Sequence, residues 1–236
     1  MTRGKLFGIV FIILAFALVW LGLESPHLFP KILALCSGLA SGALGMAYVL
    51  SRAGFLGKKP EGGIQFISYL LFWPYHLVSY VSLFIARLMR VAPFQEIVPG
   101  LFLGGRLLSW EEKRSEPLAN ASVLDLTSEF CEVRFLRKSR SYLCLPLLDG
   151  TAPKQEELET GVRFITEQLQ KGPVYVHCAM GHGRGATFAI AYLVASGKMP
   201  DLQQALQFVQ SKRPGVKIRP GQLNALRNFA YARRNL

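Results

Sequence analysis

The apolar positions of the 236-residue chain fall into two regimes. Leu6 to Leu23 and Ile32 to Ser51 carry no charged residue, and about 20 consecutive apolar residues cross the hydrocarbon core of a bilayer. The pattern predicts transmembrane helices at about 6–23 and 32–51. A cleaved signal peptide is the competing reading of the first, since Arg3 and Lys5 precede it. Against that reading, "LGLESPHLFP" offers no small-x-small site and a second span follows directly. Gly38 and Gly42, overlapped by Ser41 and Gly45, form a small-residue stripe that lets the first helix approach closely.

A third apolar stretch, about 64–89, is long enough to span but contains Pro74, His76 and several Tyr and Ser residues. Arg3 and Lys5 before the first helix, with Arg52, Lys58 and Lys59 after the second, favour a hairpin with both ends in the cytoplasm. A third crossing carries Arg87 and Arg90 to the other side. A helix lying in the interface, with Trp73, Tyr75 and Tyr80 at headgroup level, keeps them inside. The interfacial reading is favoured and the spanning one stays open.

After the boundary "RVAPFQEIVPG" the pattern becomes that of a soluble domain, so the chain divides into a membrane region, 1–90, and a domain of residues 91–236. "ASVLDLT", "YLCLPLL" and "GPVYVHC" are short β-rich runs at 121–127, 142–148 and 172–178. Between the second and third, Leu158, Val162, Ile165 and Leu169 share one helical face, and Gly172 ends that helix. "RGATFAIAYLVASG" reads as a buried helix, and "PDLQQALQFVQSKRP" and "PGQLNALRNFAYARR" as amphipathic ones. Strands alternating with helices imply an α/β fold with a central sheet flanked by helices.

The net charge of +12 divides evenly, with a formal +6 in residues 1–90 and +6 in 91–236. A basic surface beside a bilayer attracts anionic lipid or phosphorylated substrate. No helix-turn-helix, zinc finger or interleaved basic and aromatic run points to nucleic acid.

The candidate chemistry lies in "VYVHCAMGHGRGATF", between a strand and a buried helix, where loop N–H groups and a helix N-terminus face an incoming anion. There a thiol is activated toward thiolate, so Cys178 is the candidate nucleophile. Gly181 and Gly183 permit the backbone to converge on phosphate oxygens, and Arg184 offers a planar fork for two more. Such chemistry requires no metal or other cofactor. A phosphoryl-accepting cysteine needs a proton donor for the departing oxygen, and Asp149 in "LPLLDGTAP" is the candidate. Zinc is disfavoured because His177, Cys178 and His182 have no second ligand cluster. A rhodanese-type sulfur carrier has no need of Asp149. Cys36, Cys131 and Cys144 suggest ordinary buried or membrane thiols rather than a disulfide framework.

"HCAMGHGR", His177 to Arg184, resembles the HCxxGxxR signature of the dual-specificity phosphatases in the cysteine-dependent protein tyrosine phosphatase superfamily. The resemblance covers about 94–236: "EIVPGLFLGG" is similar to the family's opening segment, "LLDGTAP" to its general-acid loop and "RPGV" to its C-terminal part. It implies a protein tyrosine phosphatase-like α/β fold and a phosphoric monoester hydrolase with Cys178 as nucleophile, Arg184 as phosphate ligand and Asp149 as acid, then base. It implies that His177 orients the loop and, with Ala179, Met180, Gly181, His182 and Gly183, forms the substrate-binding loop. The plan resembles that of membrane-anchored bacterial members, which suggests a multi-pass inner-membrane protein with a cytoplasmic catalytic domain. Phosphoprotein (on Tyr, Ser or Thr) and phospholipid, such as phosphatidylglycerophosphate, both stay open as substrate. The family's Ser or Thr after the arginine is replaced by Gly185, which leaves a catalytically impaired phosphate-binding module as the alternative.

Overall fold

A computed structural model describes residues 3–89 and 91–234; Arg90, one of the charges in the topology argument, lies outside them. The chain opens with two helices, α1 (Arg3–Glu24) and α2 (Leu28–Val49), each of 22 residues and long and apolar enough to cross a membrane. They pack as an antiparallel hairpin. Small residues set the approach: a Cβ on Gly45 would lie 2.8 Å from the carbonyl oxygen of Gly8, and one on Gly38 would lie 2.9 Å from Val19. A Cβ on Gly42 would meet Ala15 at an ordinary 3.5 Å. The tight positions are therefore 38 and 45, two helical turns apart, rather than the 38/42 pair. The outer face exposes Ile13, Phe16, Trp20 and Leu39.

The third apolar stretch is broken. It forms α3 (Phe66–Leu71) and α4 (Trp73–Leu88), with Pro74 in the first turn of α4, where its missing N–H costs nothing. Neither helix is long enough to span. α4 buries Leu83 and His76 against the rest of the protein while exposing Leu77, Val81, Phe84 and Leu88, the two-faced pattern of a helix lying along a surface.

The five-stranded sheet comprises β1 (Phe94–Val98), β2 (Leu101–Gly105), β3 (Ser122–Thr127), β4 (Tyr142–Leu147) and β5 (Val174–Cys178), in the order β1-β2-β5-β3-β4. β1 and β2 form an antiparallel hairpin; the other pairings are parallel. The three β-rich runs become β3, β4 and β5, whereas β1 and β2 arise in "FQEIVPGLFLGG", where no strand was expected. The short helix α5 (Arg134–Arg137) precedes β4, and α6 (Gln155–Leu169), α7 (Arg184–Ala195), α8 (Leu202–Lys212) and α9 (Pro220–Arg234) complete the chain. On α6, Leu158, Val162 and Ile165 are fully buried as the periodicity predicts. Asp201 caps α8 by accepting from Gln204 N–H at 2.8 Å, satisfying one of its unpaired donors. α7 is almost wholly buried.

Contacts cross the expected division at residue 90. Glu132 N–H donates to Gly62 O at 2.8 Å, and Lys58 is buried within the sheet domain, 2.7 Å from Asp125. Arg87 on α4 donates to Arg106 O and pairs with Glu111 at 2.8 Å. The start of α1 lies against the loop after β4, where Gly4 approaches Thr151 and Phe7 approaches Gly150. Both ends of the hairpin thus lie on the side of the sheet domain.

Candidate active site

β5 ends at Cys178 and α7 begins at Arg184, so the five residues between them form a loop at the carboxyl edge of a parallel sheet, where ligands of open α/β sheets bind. Cys178 is 3% exposed, and Gly181 N–H points at its sulfur from 3.2 Å. Gly181 has φ +69°, and an added Cβ there would collide with the backbone of Gly104, so only glycine closes this loop against β2. Arg213 braces it from behind, its guanidinium donating to the carbonyls of Gly181, Met180 and Ala92. Arg213 is therefore a buried strut of the loop.

Arg184 is 1% exposed. Its two terminal nitrogens meet Glu129 Oε2 at 2.9 Å and Oε1 at 2.6 Å, and Leu147 O accepts at 2.8 Å. Burial alone would raise the Glu129 carboxyl, but the guanidinium outweighs it and holds that carboxyl below its ordinary range. Asp149 reaches the same guanidinium, 3.2 Å from Nη2, with its side chain 63% exposed. Arg184 Nε is buried and, among the described residues, has no hydrogen-bond partner. An unpaired buried donor costs about 1–3 kcal/mol.

Cys178 and Asp149 border a cavity of about 450 Å³, whereas Gly181 and Arg184, expected at the phosphate, are not among its lining residues. Cys178, Ala179, Met180, His182, Gly183 and Asp149 all line it, together with Glu129, Lys217 and Arg219. Its other wall comes from the N-terminal region: Phe7 and Phe11 of α1, Tyr48 of α2, and Tyr75, Val78, Ser79 and Ser82 of α4. Burial first, and then the charges of Arg213 and Lys217, bring His182 down to about 4. At neutral pH it presents an uncharged ring.

His177, expected in the substrate-binding loop, is not brought to the cavity. Successive strand residues face opposite ways, so Cys178 joins the core under α7 while His177 stacks on Tyr175 across the sheet. Its Nε2 lies 2.6 Å from Glu132 and 3.7 Å from Asp125. Burial opposes charging, but these two carboxylates outweigh it and raise the imidazole above its ordinary value. Lys58 enters the same cluster at 2.7 Å from Asp125, and Tyr142 donates to Asp125 at 2.6 Å. Asp125, Glu132 and His177 have the composition of a metal site, but the ammonium of Lys58 already supplies their cation. Thr187 does not take the place of the missing hydroxyl at 185: its Oγ1 donates to Gly183 O at 3.0 Å.

Sequence reasoning missed Glu129 and the aromatic wall. Glu129 left one signal, a carboxylate just past a buried strand, but its partner lies 55 residues away. Phe7, Phe11 and Tyr48 read only as membrane-helix residues.

The family model "Dual specificity phosphatase, catalytic domain" matches residues 109–231. A human protein named "Phosphatidylglycerophosphatase and protein-tyrosine phosphatase 1" is 34% identical over 117 residues, covering 45% of this chain and 57% of that protein. A Dictyostelium discoideum protein, "MAP kinase phosphatase with leucine-rich repeats protein 3", is 33% identical over 129 residues, covering 53% of this chain and 15% of its own length. The chain thus spans well under two thirds of either relative. Among solved structures, Tk-PTP in the active form matches with TM-score 0.53 and 26% identity, covering 59% of this chain and 97% of that one. PTPMT1 in complex with PI(5)P matches with TM-score 0.54 over 61% of this chain and 99% of that one; at 24% identity it speaks to the fold alone.

Proposed function

The chain belongs to the dual-specificity phosphatase catalytic-domain family, and from that premise we propose that it is a membrane-anchored phosphatase that hydrolyses the phosphomonoester of a phospholipid. The observation that carries the proposal is the composition of the cavity: a cysteine and a carboxylate on one wall, that carboxylate 3.2 Å from a buried arginine, and the ends of two membrane-length helices on the other. A phosphate that reaches Cys178 passes beside Phe7, Phe11 and Tyr48. The human relative's name, which includes phosphatidylglycerophosphatase, supports a lipid.

The chemistry follows from the named groups. The Cys178 thiolate attacks phosphorus and forms an S–P bond as the P–O ester bond breaks, and Asp149 gives its proton to the departing lipid oxygen. The loop N–H groups and Arg184 hold the three equatorial oxygens, where charge redistributes. Water then attacks phosphorus and Asp149 takes a proton from it. The S–P bond breaks, releasing inorganic phosphate and restoring the thiolate. α1 and α2 as spans, with α4 along the interface, keep the cavity at lipid headgroup depth and raise the effective substrate concentration.

The test compares phosphatidylglycerophosphate in vesicles, phosphotyrosyl and phosphothreonyl peptides, and an aryl phosphate, using full-length protein and Cys178→Ser. The expected result is lipid hydrolysis with kcat/KM well above that for the peptides, abolished by the substitution and retained in chelator. Preference for a peptide overturns the lipid assignment. Phosphate binding without turnover on any substrate establishes the binding-module alternative.

A further inference from the structure

The lipid reading of the cavity leaves open where the substrate's hydrocarbon goes. A second cavity, about 250 Å³, lies between α1, α2 and α4 and is lined by Phe11, Leu14, Ala40, Ser41, Leu44, Phe72, Pro74, Tyr75 and Val78. Three of these, Phe11, Tyr75 and Val78, also line the cavity over Cys178. The two spaces are thus neighbours, with one residue of α1 and two of α4 between them.

The direction of the second space follows from helix spacing. On α1 the lining runs Phe7, Phe11, Leu14, successive turns of one face, and this covers about 10 Å at 1.5 Å per residue. On the antiparallel α2 it runs Tyr48, Leu44, Ser41, Ala40. Both series begin beside the phosphate loop and climb toward the middle of the hairpin. Polarity falls along the way: Lys217, Arg219 and Asp149 stand at the Cys178 end, and Ser41 is the lone hydroxylic residue besides Tyr75 in the second space. Ala40, Leu44 and Phe72 are at most 4% exposed, so this part of the lining lies inside the helix packing, away from the outer face of Ile13, Phe16 and Leu39.

We infer that this space is an acyl-chain site: one fatty chain of the phospholipid substrate enters between Phe11 and Val78 and lies among Leu14, Ser41 and Leu44 while its phosphate rests at Cys178. The inference builds on the lipid phosphatase reading and adds that the membrane helices recognise substrate as well as anchor the domain. A chain held there exchanges bilayer contacts for close packing against Leu14 and Leu44 and gains by dispersion rather than by leaving water, and it fixes the headgroup's distance from the nucleophile.

Two measurements on the full-length protein in nanodiscs test it. The first is kcat/KM over a series of phosphatidylglycerophosphates of increasing chain length, for the native protein and for Ser41→Phe, which fills the space. The native protein is expected to gain a few-fold as the chain lengthens to fill the site, and Ser41→Phe to flatten that rise. The second needs no turnover and no altered lining: Cys178→Ser protein is photolabelled with a phosphatidylglycerophosphate carrying a mid-chain diazirine. Labels are expected on Ala40, Leu44 or Phe72, suppressed by unlabelled substrate. If lipid is hydrolysed but the series is flat in the native protein, or labels fall only on Ile13, Phe16 and Leu39, the acyl-chain site is overturned and the lipid phosphatase stands. If no lipid of any length is hydrolysed while an aryl phosphate is, both fall together.

Discussion

The cluster around Arg184 and the cluster around His177 are built from the same kinds of residue, a buried cation between carboxylates, and are attached six residues after and one residue before the same cysteine. They differ in closure. His177, Asp125, Glu132 and Lys58 are all buried with one another on the far face of the sheet. Both keep a buried nitrogen without a hydrogen-bond partner, Nε of Arg184 and Nδ1 of His177, but the Arg184 cluster also has a carboxylate, Asp149, that is 63% exposed and lines the cavity. Buried ion pairs gain little net stability, because desolvation offsets attraction, but removing one partner is costly. The closed cluster therefore serves to hold β3, β5 and the segment around Lys58 together, and the open one has capacity left for a ligand.

The largest expected effect separates them outright. Arg184→Ala is expected to lower kcat/KM by about 1,000-fold or more, as loss of an arginine that stabilises a transferring phosphoryl group does, and steady-state kinetics on an aryl phosphate reads it. A loss under ten-fold would put the phosphate elsewhere. Asp149→Asn is expected to cost about 100- to 10,000-fold on poor leaving groups such as alkyl or lipid phosphates, and far less on nitrophenyl phosphate. Equal losses on both would remove Asp149 from the acid role.

Lys58→Met is the matching change in the closed cluster. It leaves Asp125 buried without its ammonium and is expected to cost about 3–5 kcal/mol of stability, measured by denaturant titration in detergent. The folded fraction should keep kcat on the aryl phosphate within a few-fold, and a thousand-fold loss there would erase the distinction between the clusters.

pH dependence sharpens the comparison. Asp125 and Glu129 are both held below the ordinary carboxylate range, by Lys58 and Arg184 respectively against the opposing effect of burial. Their stabilising contribution is complete above the unfolded values of about 4 and is lost as pH falls through the lower folded values. His177, raised by Glu132 and Asp125 in spite of burial, contributes in the opposite sense: fully below about pH 6.5, and lost as pH rises through its folded value. The native protein should thus lose stability in acid below about pH 4, and Lys58→Met should lose less on the same acidification. An unchanged acid slope in the variant would show that Asp125 is not held down by Lys58.

The smallest expected effect lies at Gly185. A Cβ there would sit 3.7 Å from Cys178 N, with only Leu103 Cδ1, at 3.0 Å, needing to yield. Gly185→Ser is expected to raise turnover a few-fold by assisting release of the thiolate, with less phosphocysteine trapped in a rapid quench. No change in either would show that the missing hydroxyl does not limit the second step.

Much of this was legible in the sequence because it rests on local rules. The two uncharged runs of α1 and α2, the period of Leu158, Val162 and Ile165, and a cysteine, glycines and an arginine between a β-branched run and an apolar helix are each set by neighbours within about ten residues. Asp149, 29 residues before Cys178, was singled out by a chemical requirement, that a leaving group needs a proton, and it does lie on the wall of the same cavity as Cys178. The β1–β2 hairpin was less legible, since "FLGG" owes its strand form to pairing with β5 and not to its own propensity.

What only the tertiary structure decided is which groups meet. His177 adjoins Cys178 in sequence, but alternation along β5 sends its ring to the opposite face, whereas Glu129, far from Arg184 in sequence, lands on it. Lys58 read as a topology signal and is a buried counter-ion of the sheet. Phe7, Phe11 and Tyr48 read as lipid-facing bulk and form a wall over the nucleophile. Hydrophobic period and loop chemistry are properties of short segments, so the chain spells them out; ion pairing and cavity walls depend on the distances that folding closes, and those distances are set by packing of the whole molecule.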